Sequence, residues 1–367
     1  MTPPRIRIPQ ERRTTGSTAS AATPARHARP FDLLAIGDVS VDVYIRVPFI
    51  PAHDQKAIGT FLGAFGGGMC ANFAVAAAHN GAVSALASVV GDDPKGAGCL
   101  TELRDHGVDT TYVHQVRGQH TYFCIVQLDD TGEKVLTGAE TGIKVPPADS
   151  ITDDLLASSA LVHPLADDIN WTTDIALRAH ALGTQVAIDL EAAAFSGGLD
   201  VLSDLLAVSD IVFTNRIALE QADLGDPGAS LTRLLAYGPQ VVVATLGADG
   251  AVARTADRQM TVSAAPLKAR RPVDTTGAGD SFNGAFCAGY IRGEPLVTCL
   301  RRGSAIAAMC VGTVGSHSYV VTDNTLVESM AAVEVSSHAI TTQATSLAKP
   351  SLLLPGDYPG ACTSQSR

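Results

Sequence analysis

The strongest constraint on the fold is a regular alternation of short apolar runs and amphipathic segments over residues 160–247. The apolar runs are rich in β-branched residues, and the segments between them have apolar residues at helical spacing. In chain order they read ALVHPL, WTTDIALRAHALG, QVAIDL, LDVLSDLLAVS, DIVFTN, LTRLLAYG and QVVVATLG. Strands that alternate with helices in this way form a parallel sheet through right-handed crossovers, with helices on both faces. The sequence therefore predicts an α/β fold with a doubly wound, mostly parallel sheet.

Two other parts of the chain, about residues 41–65 and 112–138, interrupt this alternation with strands of exposed character. The first contains IGTFLGAFGGG, and the second contains TYFCIVQLDDTGEKVLTG, which predicts a hairpin around Asp129 to Gly132. We expect these strands to form a small β-sheet lid over one end of the main sheet. If the lid has an exposed edge, it can pair with the lid of a second subunit, which predicts a homodimer.

The two ends of the chain differ in composition from the single domain expected over residues 31–336. Residues 1–30 contain many Pro, Ser and Thr, show no helical or strand period, and predict a disordered extension. Because this segment is rich in Arg and poor in acids, an organelle transit peptide is the alternative. Residues 337–367 predict a second tail of low order.

Composition excludes several classes of function. A net charge of -11 is opposite to the basic footprint of nucleic-acid-binding proteins. No apolar stretch approaches the roughly 18 residues that indicate a membrane-spanning helix. The 7 cysteines are scattered, without a C-x-x-C pair, which argues against a disulfide framework and favours a reducing, cytoplasmic compartment.

The segment DTTGAGDSFNGAF at residues 274–286 joins a glycine-rich turn to an apolar helix that we expect to start near Gly279. The first turn of a helix has unpaired N–H groups and a positive dipole end, and glycines let an anion approach them. Asp280 lies in that turn, where a carboxylate could take a proton from a hydroxyl while the amides hold a transferred phosphoryl group. The alternative is that Asp280 only complements the helix dipole and Gly277 only makes a turn. Neither a Walker A sequence nor the dinucleotide G-x-G-x-x-G spacing is present.

The same segment resembles D-T-x-G-A-G-D, the C-terminal signature of the ribokinase-like (PfkB) carbohydrate kinases. Other segments resemble the family's motifs in the family's order, from about residue 32 to 320. They read GDVSVD, GGMCANFAVAAA, SVVGDDPKG, TN before a helix, and TLGADG. The resemblance implies a ribokinase-like fold and an ATP-dependent sugar kinase that uses Mg²⁺.

The resemblance also implies a role for each matched residue. Asp280 would be the base that deprotonates the substrate hydroxyl, with anion-hole amides from Gly277, Ala278 and Gly279. The sugar side would be formed by Ser40, Asp42, Gly67, Gly68 and Asn72. The nucleotide side would be formed by Asn215, Thr245, Gly247, Gly250 and Ser304. Asp274 and Thr276 resemble part of a loop that binds a monovalent cation such as K⁺. Read without the family, Asn72 could be a helix-terminal polar residue, Asn215 an N-cap, and GADG an ordinary turn.

Three positions depart from the family pattern. Met69 follows the paired glycines, where ribokinases have Lys, and Ala166 lies near the place of an expected sugar-contacting acid. His163 could substitute for that acid, or it could be a packed residue. Ala218 replaces the Glu of the family's N-x-x-E, and Glu220 would face another side of the helix, which predicts weaker organisation of Mg²⁺.

Three functions remain open on the sequence. The first is a sugar kinase, although the losses at Met69 and Ala166 put ribose itself in doubt. The second is a nucleoside kinase of the same family, since Met69 and Phe73 suit a more apolar ligand. The third is a catalytically weak sugar- or nucleotide-binding protein, which the loss of the Glu at position 218 favours.

Overall fold

A computed structural model describes residues 29–129, 134–222, 224, 226–268 and 271–340. The strands within these residues are β1 (Phe31–Ile36), β2 (Ser40–Arg46), β3 (Thr60–Gly67), β4 (Ser84–Gly91), β5 (Asp109–Val116), β6 (Phe123–Leu128), β7 (Lys134–Ala139), β8 (Ser159–Pro164), β9 (Gln185–Leu190), β10 (Ile211–Asn215), β11 (Val241–Thr245), β12 (Ala251–Arg254), β13 (Arg258–Val262) and β14 (Val335–Ala339). The α-helices are α1 (Met69–His79), α2 (Pro94–Asp105), α3 (Asp153–Ala157), α4 (Ile169–Ala181), α5 (Ser203–Val208), α6 (Arg216–Gln221), α7 (Pro227–Leu235), α8 (Ala278–Ile291), α9 (Leu296–Cys310) and α10 (Asp323–Ala331).

The described strands form a 10-stranded sheet with the order β14-β13-β12-β11-β10-β9-β8-β1-β4-β5. Neighbouring strands from β11 through β5 pair in parallel, and β12, β13 and β14 add antiparallel pairs at one edge. From the central pair β1 and β8, the sheet order runs through β4 and β5 on one side and through β9, β10 and β11 on the other, so the strand order reverses between β1 and β8. The predicted doubly wound, mostly parallel sheet is therefore confirmed, and such sheets bind ligands outside the carboxyl ends of the strands at this reversal.

The core lies on both faces of the large sheet because successive strand residues point to opposite sides. In β1, Leu33 and Ala35 pack into the cluster shared with α1, α2, α8 and α9. Leu34 and Ile36 pack into the cluster on the other face, which is shared with α4, α5 and α7. All of these β1 side chains are fully buried. Because both faces of the strand are covered, the run LLAI contains no polar residue.

A separate 4-stranded sheet with the order β3-β2-β6-β7 forms the lid. Tyr44 of β2 packs edge-on against Phe65 of β3, with ring centroids 5.5 Å apart. Residues 112–116, which we predicted to be in the lid, lie instead in β5, which pairs with β4 at the edge of the large sheet. Their half-exposed pattern is that of an edge strand, and either sheet can provide such an environment. The predicted hairpin tip falls largely on residues 130–133, outside the described residues.

The domain boundaries also differ slightly from the prediction. Strand β14 pairs with β13 through Ala339, so residues 337–339 belong to the sheet and not to a tail. The segment SSHA is polar and exposed. Because backbone hydrogen bonds alone hold it in the sheet, its sequence has no alternation of apolar residues that would predict a strand. Arg29, near the end of the predicted extension, donates hydrogen bonds to the carbonyls of Ser159 and Gly183. Residues 1–28 and 341–367 lie outside the described residues. Of the helices that the structure describes, none has the length and apolar character needed to cross a bilayer.

Candidate active site

A cavity of about 940 Å³ lies between the carboxyl ends of the parallel strands and the lid. Residues at or just after the ends of β1, β8, β9, β10 and β11 line it, together with the start of α8. The predicted site residues that line it are Ser40, Asp42, Gly68, Asn72, Asn215, Thr245, Gly247, Gly250, Thr276, Gly277, Ala278, Gly279, Asp280 and Ser304. The structure thus brings residues from distant parts of the sequence to one cavity.

The backbone turn before α8 depends on Gly277. This N-cap residue has φ 74° and ψ 1°, in the left-handed region that favours glycine. A Cβ at this position would lie 2.5 Å from Ser316 Oγ, so the packing also requires the absence of a side chain. Helix α8 begins at Ala278, and both Ala278 and Gly279 line the cavity, so the first turn with its unpaired amides lies at the cavity wall.

Asp280 lies in this first turn and is partly exposed to the cavity. Asn72 Nδ2, from the start of α1, donates a 2.7 Å hydrogen bond to Asp280 Oδ2. Burial raises the pKa of the Asp280 carboxyl well above its usual range, although the Asn72 hydrogen bond acts in the opposite direction. The negative charges of Asp189, Glu191 and Asp38 raise this pKa further. An elevated carboxyl pKa is typical of a group that exchanges protons.

Asp42 is held at the lid side of the cavity by Ser40 and the glycines before α1. Ser40 Oγ donates a 2.9 Å hydrogen bond to Asp42 Oδ1, and Asp42 is only 3% exposed. Burial raises the pKa of the Asp42 carboxyl, while the Ser40 hydrogen bond lowers it. A Cβ on Gly67 would lie 2.5 Å from Asp42 Oδ2, so Gly67 supports this carboxylate from behind and does not line the cavity.

The residues predicted for the nucleotide side line the other end of the cavity, and several of them have local hydrogen-bond partners. Asn215 Oδ1 accepts a 2.9 Å hydrogen bond from Ala218 N and so caps α6. Ser304 Oγ donates to Ser263 O at 2.9 Å and accepts from Ala265 N at 3.0 Å. These contacts fix the walls of the cavity, and they are the structural roles that the sequence also allowed.

Asp274 is buried outside the cavity wall and organises the loop before α8. Its carboxylate accepts hydrogen bonds from Thr276 N at 2.9 Å, Thr276 Oγ1 at 2.7 Å and Gly315 N at 3.1 Å. Lys134, on lid strand β7, donates a 2.8 Å hydrogen bond from Nζ to Thr276 Oγ1. The lid therefore reaches the loop before α8 through a cationic side chain, which sequence analysis did not identify.

The departures from the family pattern have distinct environments. Met69 lines the cavity, so an apolar side chain replaces the ribokinase Lys there. His163 is 4% exposed, stacks on Phe73 with ring centroids 4.0 Å apart, and does not line the cavity. It is a packed residue, and burial lowers its pKa to about 4. Ala218 is fully buried and Glu220 does not line the cavity.

Sequence analysis missed several carboxylates that line the cavity. They are Asp38, Asp167, Asp189 and Glu191. Asp38 follows β1, Asp167 follows β8, and Asp189 and Glu191 lie at the end of β9. Their position at the carboxyl ends of predicted parallel strands was the signal that could have identified them. Lys144, which pairs with Asp167, is the second lysine of the cavity.

The donor set of the cavity fits Mg²⁺ bound together with a nucleotide. Burial and the charge of Glu191 together raise the pKa of Asp189 to about 7, although a 2.8 Å hydrogen bond from Asn283 Nδ2 acts in the opposite direction. Burial and the charge of Asp167 also raise the pKa of Glu191. Such a group of mutually repelling carboxylates is stabilised by a cation, and Mg²⁺ prefers oxygen ligands and retained waters.

Comparisons with known proteins identify the family to which the chain belongs. The chain matches the model of the pfkB family carbohydrate kinases over residues 31–323. It is 28% identical over 294 residues to a nucleoside kinase from Methanothermobacter thermautotrophicus, covering 79% of this chain and 92% of the relative. It is 26% identical over 300 residues to a ribokinase from Haemophilus influenzae, covering 79% of this chain and 95% of the relative. The structure of Arabidopsis thaliana ribokinase complexed with ribose and ATP matches with a TM-score of 0.69 at 22% identity, covering 82% of this chain and 98% of that chain. The chain therefore belongs to the pfkB family of carbohydrate kinases, and it is a phosphotransferase that acts on an alcohol group.

Proposed function

We propose that this protein transfers the γ-phosphoryl group of ATP to a hydroxyl of an unphosphorylated sugar. The observation that carries the proposal is the position of Asp280 at the N-terminus of α8, in the same cavity as the buried Asp42. Asp42 and Ser40 supply hydrogen-bonding oxygens for sugar hydroxyls, and Asp280 supplies the base. The cavity is large enough for a sugar beside a nucleotide.

In this mechanism Asn72 orients the base. Its hydrogen bond to Asp280 Oδ2 leaves Oδ1 as the oxygen that accepts the proton of the substrate hydroxyl. The deprotonated oxygen attacks the γ-phosphorus, and the bond to the leaving ADP breaks. The amides of Gly277, Ala278 and Gly279 stabilise the charge on the transferred phosphoryl oxygens. Mg²⁺, when bound with ATP, neutralises part of the phosphate charge.

The charge of the cavity favours an acceptor without a phosphate group. Asp38, Asp42 and Asp167 line the cavity, and the positive side chains that line it are Lys134, Lys144 and Arg216, the last of which pairs with Asp249. Lys144 already pairs with Asp167, so little positive charge is left for a second phosphate. We therefore expect neutral sugars to be better acceptors than sugar phosphates.

A nucleoside acceptor is the second candidate. Met69 gives the sugar side an apolar wall where a nucleoside base could pack. The similarity to the Methanothermobacter nucleoside kinase also favours a nucleoside acceptor. Both candidates use the same base and the same anion hole.

A screen of ATP consumption over sugars, sugar phosphates and nucleosides tests these proposals. Sugar-dependent ADP release supports the first candidate, and nucleoside-dependent release supports the second. Tight binding of a ligand without ADP release would instead identify a binding protein on a kinase fold. Preference for a sugar phosphate would contradict the argument from cavity charge.

The dependence of kcat/KM on pH should have an acid limb set by Asp280. The base must be ionised to accept a proton, and its pKa is raised by burial and by nearby carboxylates. Activity is therefore expected to fall on acidification at a pH above the ordinary aspartate pKa of about 4. A profile of kcat/KM at saturating ATP measures this. Constant activity down to that pH would contradict the assignment of Asp280 as the base.

Lys134→Met should lower kcat by about 100-fold, because it removes a cation beside the anion hole. Lys134 is the side chain that connects lid strand β7 to Thr276. Burial lowers its pKa, while the carboxylates of Asp274 and Asp42 act in the opposite direction. Steady-state kinetics of this variant and of Lys134→Arg measure the effect, and Arg should restore part of the activity. Lys56→Met removes an exposed charge between β2 and β3 and is the matched control. Equal kcat values for both Met variants would show that the lid lysine has no role in transfer.

We further propose that two lids pair to form a homodimer. Edge strand β3 presents Phe61, which is 66% exposed, and edge strand β7 presents Val135, which is 44% exposed and does not line the cavity. Phe61→Glu is expected to convert a dimer to a monomer in light scattering at micromolar concentration. Val327→Glu, on α10, changes a side chain of similar exposure outside the lid and should remain dimeric. A monomeric unsubstituted protein would rule out the dimer.

Two other predictions from the sequence stay proposals. The carboxylate of Asp274 and the carbonyls of the loop after α9 are suitable oxygen ligands for K⁺, and stimulation of turnover by K⁺ over Na⁺ would support such a site. The free cysteines among the described residues are all buried, which is compatible with a reducing, cytoplasmic location.

A further inference from the structure

A cluster of histidines and one glutamate lies behind the sugar side, outside the main cavity. Glu102 is on α2, His106 caps the C-terminus of α2, and His317 is in the loop after α9. Each residue offers one ligand atom, and the three atoms lie within 4.8 Å of one another. His317 Nδ1 lies 3.1 Å from Glu102 Oε1, a separation suited to two ligands of one ion. We call these three residues the His-Glu cluster.

The histidine at the centre of this cluster has an unpaired polar atom. His317 is 3% exposed, and its Nε2 has no hydrogen-bond partner among the described residues. The ligand atom of His317 is the other ring nitrogen, Nδ1, which faces Glu102 Oε1. An ion bound there would replace the hydrogen bond between these two side chains.

A fourth histidine supports the ring of His106. His79 Nε2 lies 3.0 Å from His106 Nδ1, and His79 in turn packs edge-on against Tyr319. Histidines that bind metals commonly donate their other ring N–H to an acceptor that fixes the orientation of the ring, and His79 Nε2 can be that acceptor for His106.

We propose that Glu102, His106 and His317 bind a divalent transition-metal ion such as Zn²⁺. Two imidazole nitrogens and one carboxylate are a known ligand set for Zn²⁺, with water in the fourth position. Imidazole ligands select against Mg²⁺ and Ca²⁺, which prefer oxygen, so the site differs from the one that holds Mg²⁺ with ATP.

The ion would connect three parts of the fold that meet behind the sugar side. Glu102 Oε2 accepts a 3.1 Å hydrogen bond from the backbone N of Gly66, which lies near the end of lid strand β3. His317 follows Gly315, whose amide binds the carboxylate of Asp274 in the anion-hole loop. A metal at the His-Glu cluster would therefore stabilise both the base of the lid and the loop that positions α8. Its role would be structural.

Titration of Zn²⁺ into the untagged full-length protein tests the proposal without measuring activity. We expect saturable binding of one ion per chain in calorimetry, with Kd of about 10 µM or tighter, and a higher thermal midpoint. His106→Gln and His317→Gln should each lose binding and the thermal shift, and His79→Phe should weaken binding by about 10- to 100-fold. Co²⁺ as a probe should give the visible absorption of a low-coordinate site, and this absorption should be absent in the Gln variants.

His120→Gln is the matched control, because His120 is exposed and also lies beside a carboxylate, that of Asp93. This variant should bind Zn²⁺ like the unsubstituted protein. Equal binding by His106→Gln, His317→Gln and His120→Gln would place the ion elsewhere and overturn the proposal, as would no saturable binding. Because the readouts are metal affinity and thermal stability, the result is independent of which acceptor the kinase uses.

Discussion

Asp280→Asn is expected to lower kcat by about 10³- to 10⁴-fold, which is the effect of losing a positioned general base. The amide retains the shape of the side chain and can still accept the hydrogen bond from Asn72 Nδ2. It cannot take the proton of the substrate hydroxyl. Binding of ATP should change little, since the anion-hole amides belong to the backbone. Single-turnover kinetics with the acceptor found in the screen, together with ATP binding by calorimetry, measure the two effects separately.

The same substitution should not destabilise the fold, and this distinguishes a base from a residue that complements the helix dipole. Because burial raises the pKa of Asp280 in the folded state, the stability that this group contributes is greatest at low pH. That stability is lost as the pH rises from the unfolded pKa through the folded one. Wherever this carboxyl group is ionised, its charge therefore opposes folding, and a neutral Asn removes this opposition. The thermal midpoint of Asp280→Asn should be unchanged or higher.

Asp323→Asn is the matched control for Asp280→Asn. Asp323 is also in the first turn of a helix, α10, but it is exposed and lies outside the cavity. Its substitution should slightly lower the thermal midpoint through the helix dipole and leave kcat unchanged. If Asp280→Asn gave the same pattern, with turnover within about 10-fold of the unsubstituted enzyme, Asp280 would be a dipole residue only.

The large sheet was predictable because its strands are buried on both faces. The run LLAI in β1 and the run VVVAT in β11 have no alternation, and amphipathic segments separate such runs along the chain. Strand β5 was assigned to the wrong sheet because half-exposed strands look alike at the edge of either sheet. Strand β14 was missed because backbone pairing alone holds its polar residues.

The candidate site was predictable only where a local motif carries it. Gly277 and Asp280 are in one short segment, so their joint position at a helix start follows from the sequence. Asp167 and Glu191 belong to no such segment, and they reach the cavity because parallel strands end at one edge of the sheet. His163 looked equally suited to the cavity or the core, and its stacking on Phe73 could not be read from spacing.

Gly277→Ala is expected to lower kcat by about 10²-fold, because it displaces the anion-hole amides. The backbone at this position has φ 74°, which costs about 1–2 kcal/mol for a residue with a Cβ. The new methyl group would lie 2.5 Å from Ser316 Oγ and 3.1 Å from Asn72 Nδ2, the group that holds Asp280. Relief of these contacts requires the turn, and the amides that follow it, to move. Steady-state kinetics and thermal unfolding measure both consequences.

The strain at residue 277 can be separated from its packing by a second glycine. Gly293, after α8, has φ 76° and open space around its Cβ position, so Gly293→Ala introduces the strain without the contacts. We expect this control to lose about 1–2 kcal/mol of unfolding free energy with kcat unchanged. Combining Gly277→Ala with Ser316→Gly removes both atoms of Ser316 that crowd the new methyl group, and it should restore part of the activity. If Gly277→Ala kept full activity and lost only as much stability as Gly293→Ala, the close packing before α8 would have no part in phosphoryl transfer.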